Sequence, residues 1–290
     1  MQPVFVFGAH RSGTTLLQRV LNSYDDVLVW GEHAGFLRPL GEAFWAGWES
    51  PSLFGDRKPL ADILADSEPF ADWQAWMNWF SREDWIAAFR RDIESLLLPG
   101  GLPGKRFWGF KEIRYMARPG ERTLEFLATL YPDAVFVFIV RNAFNSIASN
   151  RATPEGARSL RALKRVCDGW TRRYRAYRDW HRAGRTRSFW IVYEELIEGR
   201  GEIRALLAAL GKEFGDRQRA VLESSGGRRS SFATEDYNAR WAALPRAWLG
   251  VVAASVGALN AELGYPTPPL PLAARMAGRL ALATMRSARD

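Results

Sequence analysis

The residues that point most directly to chemistry lie near the amino terminus, where an apolar run leads into a loop with two glycines. Val4–Phe7 is rich in β-branched and aromatic residues, and the glycines follow as Gly8 and Gly13. A helical pattern begins at Thr14, so backbone N–H groups of the loop and of the helix start converge on one point. This arrangement predicts a cradle for a phosphate or a similar anion.

The loop departs from the nucleoside triphosphate loops that it matches in spacing. Four residues separate Gly8 from Gly13, as in a Walker A motif, but Thr14 stands at the lysine position and Arg11 is the loop's cation. ATP and GTP sites depend on that lysine and on Mg²⁺. The loop therefore predicts a phosphate site for a ligand other than ATP or GTP.

A second cation follows another buried-strand pattern. Val135–Val140 is continuously apolar and leads into Arg141, where the comparable strand of a P-loop NTPase ends in an acidic Mg²⁺ ligand. Asn142 is a suitable N-cap for the next helix, and Ser149 places a hydroxyl about two turns into it. A guanidinium at the end of a strand suits a second phosphate. The alternative, a simple ion pair of Arg141 with a carboxylate, is less favoured beside a loop without lysine.

These motifs need an α/β framework to position them. Short apolar runs separated by helical patterns are typical of buried parallel strands. We expect a three-layer α/β/α sandwich with a central parallel sheet, P-loop-like in holding its ligand at the carboxyl ends of the strands. The runs are Val4–Phe7, Phe107–Phe110, Val135–Val140 and Phe189–Val192, with a shorter strand at Val27–Val29.

Two helices have clear apolar stripes. The first should start near Thr14, and a long basic helix should cover Ser159 to Arg182. The arginines of the long helix are interpreted as a solvated face, because no motif for binding RNA or DNA accompanies them. The stripes are Leu16, Leu17, Val20 and Leu21 in the first helix and Leu160, Leu163, Val166, Trp170 and Tyr174 in the second.

Composition narrows the class of protein. The 290 residues are 47% hydrophobic and 25% charged, as expected for a folded domain with a full core. The net charge of +8 favours anionic partners, and nucleic acid is not expected among them. The single Cys167 excludes an internal disulfide framework and a cysteine-based zinc site. We see neither a signal peptide nor a membrane span, and we expect a cytoplasmic protein.

The chain divides into three regions by composition. We expect residues 1–265 to form a single α/β domain, in which residues 41–104 are a helical insertion. Residues 266–290 are a Pro-rich linker and a basic helix, which could dock on the body, a partner subunit or an anionic membrane. The insertion's aromatics either pack on the sheet or line a substrate lid; its tryptophans are Trp45, Trp48, Trp73, Trp76, Trp79 and Trp85.

Both phosphate motifs resemble those of sulfotransferases. Gly8–Leu17 looks like the 5′-phosphosulfate loop, closest to the P-R-S-G-T-T-L form of tyrosylprotein and many bacterial members, and Arg141 with Ser149 resembles the 3′-phosphate site. The resemblance implies 3′-phosphoadenosine 5′-phosphosulfate (PAPS) as donor, adenosine 3′,5′-bisphosphate (PAP) as product, and no metal. It assigns donor binding to Arg11, Ser12, Gly13, Thr14, Thr15, Arg141, Ser149, Tyr193, Ser231 and Arg240.

Three further segments carry the resemblance. Trp108–Glu112 resembles the strand whose lysine, here Lys111, contacts the transferring sulfonate. Val192–Leu196, which includes Tyr193, resembles an element that follows a late strand. Ser231 and Arg240 are similar to the serine and cation of a late loop that contacts the nucleotide.

The implied reaction moves a sulfuryl group in line to a hydroxyl or amine. Negative charge builds on the leaving bisphosphate, where Arg11, Lys111 and loop N–H groups would stabilise it. The acceptor must lose a proton. Glu32 lies where the family often carries a Gly-Glu element and is the expected base, with His33 as the alternative; a Glu32 that only orients the loop also stays open.

The residues are also compatible with two other classes of function. A P-loop kinase acting on a small molecule would need ATP, an acidic metal ligand and a cation in place of the missing lysine. A non-catalytic nucleotide-binding or sulfate-binding module would have an intact site without turnover. For the transferase, the acceptor is a small molecule, carbohydrate, lipid or peptide, because acceptor identity depends on the shape of the site. Arg158 and Arg161, if they face that site, would favour an acidic acceptor.

Overall fold

The computed structural model describes residues 1–50, 53–54, 81–115, 120–151, 157–226 and 244–287. A parallel sheet of five strands lies at its centre, in the order β2-β3-β1-β4-β5. Helices cover both faces, which confirms the expected α/β sandwich. The strands are β1 (Gln2–Gly8), β2 (Val27–Trp30), β3 (Phe107–Glu112), β4 (Val135–Val140) and β5 (Arg187–Val192).

Helices connect the strands and continue after the last one. Their bounds are α1 (Thr14–Leu21), α2 (Leu37–Trp48), α3 (Arg82–Leu97), α4 (Gly120–Leu130), α5 (Ala143–Arg151), α6 (Leu160–Arg182), α7 (Tyr193–Leu196), α8 (Glu202–Ala209), α9 (Asp216–Gly226), α10 (Arg246–Glu262) and α11 (Leu272–Ser287).

The two faces of the sheet bury different kinds of side chain. Because side chains alternate along a strand, one face of the central strands presents aromatic rings and the other presents aliphatic groups. The aromatic face packs against helices that include α4 and α6, and the aliphatic face packs against α1 and α8. The aromatic set includes Phe5, Phe7, Phe110, Phe136 and Phe138, and the aliphatic set includes Val4, Val6, Val135, Val137 and Ile139.

The predicted helix starts are confirmed. The first helix begins at Thr14, and its stripe is buried except for Leu16, which is only partly buried. Asn142 caps α5 by accepting a hydrogen bond from the amide of Phe144 at 3.0 Å. Ser159 caps α6 by accepting one from the amide of Ala162 at 3.2 Å.

The predicted insertion is described only at its two ends, by α2 and α3. There the aromatics pack on the body: Phe44 lies within ring contact of Trp48, Trp85 and Phe126 of α4. This agrees with the packing interpretation for these tryptophans. Trp73, Trp76 and Trp79, which carried the lid interpretation, lie outside the described residues.

The last helix packs closely on α10. A Cβ on Gly278 would lie 2.4 Å from the backbone of Gly250, so the two helices cross with no room for a side chain. Leu272, Met276 and Leu280 are exposed on α11. Its predicted contact with a partner subunit or a membrane stays a prediction. Within the described parts of the chain, no helix has the length and apolar character to cross a bilayer.

Candidate active site

The glycine loop (residues 8–15) connects β1 to α1 and needs glycine at Gly13. Gly13 has φ 94°, a left-handed conformation that glycine adopts without strain. A Cβ there would lie 2.2 Å from Cδ2 of Tyr193, the first residue of α7. Arg11 also has a positive φ, 63°, which is uncommon for a residue with a side chain. The loop therefore turns at Arg11 and Gly13 and lies directly against Tyr193.

Buried hydroxyls hold the loop in this shape. Ser12 Oγ donates to the carbonyl of Ala9 at 2.7 Å. Tyr174, on α6, accepts a hydrogen bond from the amide of Ala9 at 3.1 Å and donates one to the carbonyl of Ile139 at 2.9 Å. Ser12 and Tyr174 are both fully buried. The loop is thereby fixed to β4 and to the long helix.

Two arginines meet beside the loop. Arg11 Nε donates to Ser149 Oγ at 2.9 Å, and Arg141 Nη1 donates to the carbonyl of Arg11 at 3.1 Å. The guanidinium of Arg141 stacks on the ring of Tyr193, 4.1 Å from the ring centroid. Arg141 and Ser149 are buried, whereas Arg11 is exposed. The predicted pair thus lies against the loop, with Arg11 bonded to both members.

Arg11, Arg141 and Tyr193 border a cavity of about 360 Å³, the loop cavity. Arg11, Arg19 and Arg141 line it, and Glu32 is the one carboxylate among its described lining residues. The first N–H groups of α1, which have no partner inside the helix, belong to residues that also line it. This combination suits a ligand with several negative charges. The loop residues on its wall are His10, Arg11, Gly13, Thr14 and Thr15.

Glu32 is held by two cations. Its Oε1 lies 2.5 Å from Lys111 Nζ, and its Oε2 lies 2.9 Å from Arg114 Nη1. Lys111 is in β3 and Arg114 follows that strand; because β2 and β3 are parallel neighbours, the segment after each reaches the same edge. Burial alone would raise the pKa of Glu32, but the hydrogen bond from Lys111 and the charges of Lys111 and Arg114 outweigh it and lower the pKa. Glu32 is therefore ionised at neutral pH.

A second carboxylate, Glu112, is fully buried beside this pair. Its Oε1 accepts hydrogen bonds from the amide of Ile113 at 2.8 Å and from Arg114 Nη1 at 3.0 Å. Its Oε2 accepts one from the amide of Gly35 at 2.9 Å. Arg114 thus bridges the two carboxylates. We call Glu32, Lys111, Glu112 and Arg114 the carboxylate network.

His33 does not line the loop cavity as the structure describes it. Its Nε2 lies 2.8 Å from the hydroxyl of Tyr115, its Nδ1 lies 3.7 Å from Glu112 Oε2, and its side chain is 10% exposed. Burial lowers the pKa of His33 against the opposing charge of Glu112. Of the two adjacent candidates for a base, Glu32 is therefore the one that reaches the cavity.

A sequence profile described as the sulfotransferase family matches residues 3–216. This span contains the glycine loop, the carboxylate network and both arginines. The chain belongs to the sulfotransferase family. Among solved structures, the sulfotransferase domain from the Synechococcus PCC 7002 olefin synthase has a TM-score of 0.53 and 17% identity, covering 92% of this chain and 96% of that one. At this identity the likeness shows the shared fold.

Another solved structure is similar over nearly the whole length. The sulfotransferase from Alicyclobacillus acidocaldarius has a TM-score of 0.46 and 18% identity, and the match covers 92% of this chain and 97% of that one. No curated protein matches the sequence.

In this sulfotransferase the predicted site residues form two layers. One layer lines the loop cavity, and the other is buried behind it. His33 belongs to neither layer, and Ser231 and Arg240 lie outside the described residues. The lining layer is Arg11, Gly13, Thr14, Thr15, Glu32, Arg141 and Tyr193, and the buried layer is Ser12, Lys111 and Ser149.

Sequence reasoning missed the roles of Arg114 and Tyr174 in this sulfotransferase site, whereas it had expected His10, inside the glycine loop, to pack or to contact a phosphate. Arg114 bridges the carboxylates, and the only signal for it was a cation two residues after Glu112. Tyr174 was counted only as part of an apolar stripe, although a buried tyrosine hydroxyl needs a hydrogen-bond partner. His10 lines the loop cavity and a second cavity beside it, and burial lowers its pKa.

Proposed function

We propose that this protein transfers a sulfuryl group from PAPS to a hydroxyl or amine of an acceptor. The observation that carries the proposal is the meeting of Arg11 and Arg141 at the glycine loop, in one cavity with the start of α1. A donor that carries anionic groups on both its 3′ and 5′ positions needs two cationic sites on one cavity. Membership of the sulfotransferase family supports the reaction class.

Each of the two sites would bind one anionic group of the donor. The glycine loop and the N-terminus of α1 would hold the 5′-phosphosulfate, because their N–H groups suit an anion without a metal. Arg141 and Ser149 would hold the 3′-phosphate. Arg11, which is bonded to both, would tie the two sites together.

Glu32 is the proposed base. Its carboxylate is ionised, lines the loop cavity and would accept the proton that the acceptor hydroxyl loses. A bond forms from sulfur to the acceptor oxygen while the bond from sulfur to the phosphate oxygen breaks, and the electron pair of the broken bond stays on the phosphate oxygen. Arg11 and the loop N–H groups would stabilise that oxygen.

Lys111 and Arg114 would control the protonation of Glu32, the proposed base. Both neutralise Glu32 before the reaction, and both would lose part of that attraction when Glu32 takes the proton. The charge of Lys111, which is buried behind Glu32, is then less neutralised and would favour the negative charge that develops on the leaving phosphate. One proton transfer thus shifts positive charge towards the transferring group.

Thermal unfolding with PAP and with ATP, each in EDTA and in Mg²⁺, tests the proposal. Ligand at about 100 times its Kd should add about 2.7 kcal/mol to the free energy of unfolding. We expect PAP to stabilise the protein equally in EDTA and in Mg²⁺. Stabilisation only by ATP with Mg²⁺ would overturn the proposal in favour of the kinase. Binding of PAP without transfer to any acceptor in a broad screen would favour the non-catalytic module.

A further inference from the structure

A second cavity, the helix cavity, runs from the glycine loop along α6. Its volume is about 400 Å³. Ile147, Val166 and Trp170 give it apolar walls, whereas Arg165 and Arg173 are basic, and its described lining includes no carboxylate. An apolar cavity with a few cations is the lining expected for an amphipathic ligand.

Three polar side chains contribute buried atoms to the wall. Ser146 Oγ, Trp170 Nε1 and Arg173 Nε form no hydrogen bond with any described residue. Ser146 is 2% exposed and Trp170 is 3% exposed. Buried polar groups are normally satisfied, so these donors indicate a ligand that brings acceptor atoms. Neither Arg165 nor Arg173 forms an ion pair with a described carboxylate.

The helix cavity meets the loop cavity at His10, which lines both. His10 also lies within the electrostatic influence of Glu32 and Lys111. A molecule in the helix cavity therefore has one end beside the residues proposed to carry out transfer.

The two arginines mark opposite ends of the helix cavity. Arg173 is at the loop end, since its neighbour Tyr174 binds the amide of Ala9. Arg165 lies eight residues earlier in α6, about 12 Å away along the helix axis. Val166 and Trp170 lie between them, so an extended ligand would pass from the loop over an apolar wall to a cation.

We infer that the helix cavity is the acceptor site and that the acceptor is an elongated organic anion. Its hydroxyl lies at the His10 end, its apolar body lies along Val166 and Trp170, and its carboxylate or phosphate pairs with Arg165. The inference rests on the proposed function and names its acceptor class. The arginines on the described cavity wall are Arg165 and Arg173, and not Arg158 and Arg161, which were predicted to favour an acidic acceptor if they faced its site.

Calorimetric binding in saturating PAP tests the charge of the acceptor. The probes are 10-hydroxydecanoate, 1,10-decanediol and 10-aminodecan-1-ol, which share a chain whose ends lie about 12 Å apart when extended. We expect the acid to bind at least about tenfold more tightly than the other two, because a charge-assisted hydrogen bond is lost in each. Equal binding of the three, or binding of none while PAP binds, would overturn the inference. Failure of PAP itself to bind would instead count against the proposed function.

Arg165→Gln tests the assigned end, and Arg172→Gln is its control. Both variants remove one exposed positive charge from α6, but Arg172 does not line the helix cavity. We expect Arg165→Gln to weaken binding of the acid about tenfold without changing binding of the diol. If both variants weaken binding equally, the effect is one of general charge and the assignment of Arg165 is wrong.

Gly169→Leu tests the site itself. Gly169 lines the helix cavity, and a Cβ on it would meet no atom within 4 Å, so leucine would fill the space without backbone strain. Gly257→Leu, in α10, has the same open surroundings away from this cavity and is the control. We expect Gly169→Leu to abolish binding of 10-hydroxydecanoate and to leave PAP binding intact. Unchanged binding of the acid would mean that the helix cavity is not the acceptor site.

Discussion

Arg11 and the pair of Lys111 and Arg114 lie on the same edge of the sheet, and they differ in what neutralises them. Arg11 binds a serine hydroxyl and forms no ion pair with a described carboxylate. Lys111 is already paired with Glu32, and Arg114 is paired with both Glu32 and Glu112. Arg11 can therefore pair with an anion from outside, whereas the charges of Lys111 and Arg114 are balanced within the protein.

The difference separates binding from chemistry. A cation whose field is not cancelled locally contributes to the affinity for an anionic ligand from the first contact. A cation that is cancelled by a carboxylate contributes only when the carboxylate is protonated, which in the proposed mechanism happens during transfer. We expect substitutions of Arg11 to change both Kd and kcat, because Arg11 is also proposed to stabilise the leaving oxygen, and substitutions of Lys111 and Arg114 to change mainly kcat.

Glu32→Gln should have the largest effect. The amide keeps the size of the side chain but cannot accept the acceptor's proton, so we expect kcat to fall about 10³-fold. The Kd for PAP, measured by calorimetry, should change little. His33→Gln is the control, and a larger loss of kcat in His33→Gln than in Glu32→Gln would exchange their roles.

Arg141→Ala should weaken PAP binding about 10²-fold, because it removes charge-assisted hydrogen bonds to the 3′-phosphate. Arg141→Lys keeps the charge but loses the planar group that stacks on Tyr193, and should lie between alanine and the wild type. The thermal midpoint without ligand separates loss of binding from loss of folding. Unchanged PAP affinity in Arg141→Ala would remove Arg141 from the proposed 3′-phosphate site.

The pH dependence of kcat should report the carboxylate network. Burial raises the pKa of Glu32, but the nearby cations lower it by more, so its net pKa is below the ordinary value. We therefore expect activity to be lost only as the pH falls below the usual range of glutamate. Arg114→Gln removes one lowering charge, and the acid limb of the kcat profile should move to higher pH. PAP binding over the same range gives the control. An acid limb that stays in place would mean that Glu32 is not the titrating base.

Tyr174→Phe should have the smallest effect on catalysis. We expect it to affect Arg11 and the pair of Lys111 and Arg114 equally. It leaves the amide of Ala9 and the carbonyl of Ile139 without their buried partner, at a cost of about 1–3 kcal/mol in the free energy of unfolding. We expect PAP affinity to fall only a few-fold, since the glycine loop keeps its internal bonds. Denaturant titration and calorimetry measure the two quantities. A loss of affinity as large as that in Arg141→Ala would make Tyr174 part of the binding site.

Local sequence patterns were sufficient to predict the glycine loop and the strands. Gly8, Gly13 and the buried run before them are neighbours in sequence, so their geometry follows from adjacent residues. Arg114 and Glu112 could not be placed in the same way, because their contacts with Glu32 and Gly35 join segments about 80 residues apart that meet only through the pairing of β2 with β3. The helix cavity depends on how side chains of α6 pack, which a periodicity does not specify.

The bonds that fix the glycine loop also bear on the rates of ligand exchange. Ser12, Tyr174 and Tyr193 hold the loop in its turn by contacts within the protein. A loop that is ordered before the ligand arrives loses little conformational entropy on binding and has no slow closing step. Association of the bisphosphate should therefore be limited by encounter and show a single phase, and substitutions on the cavity wall should appear mainly as faster dissociation.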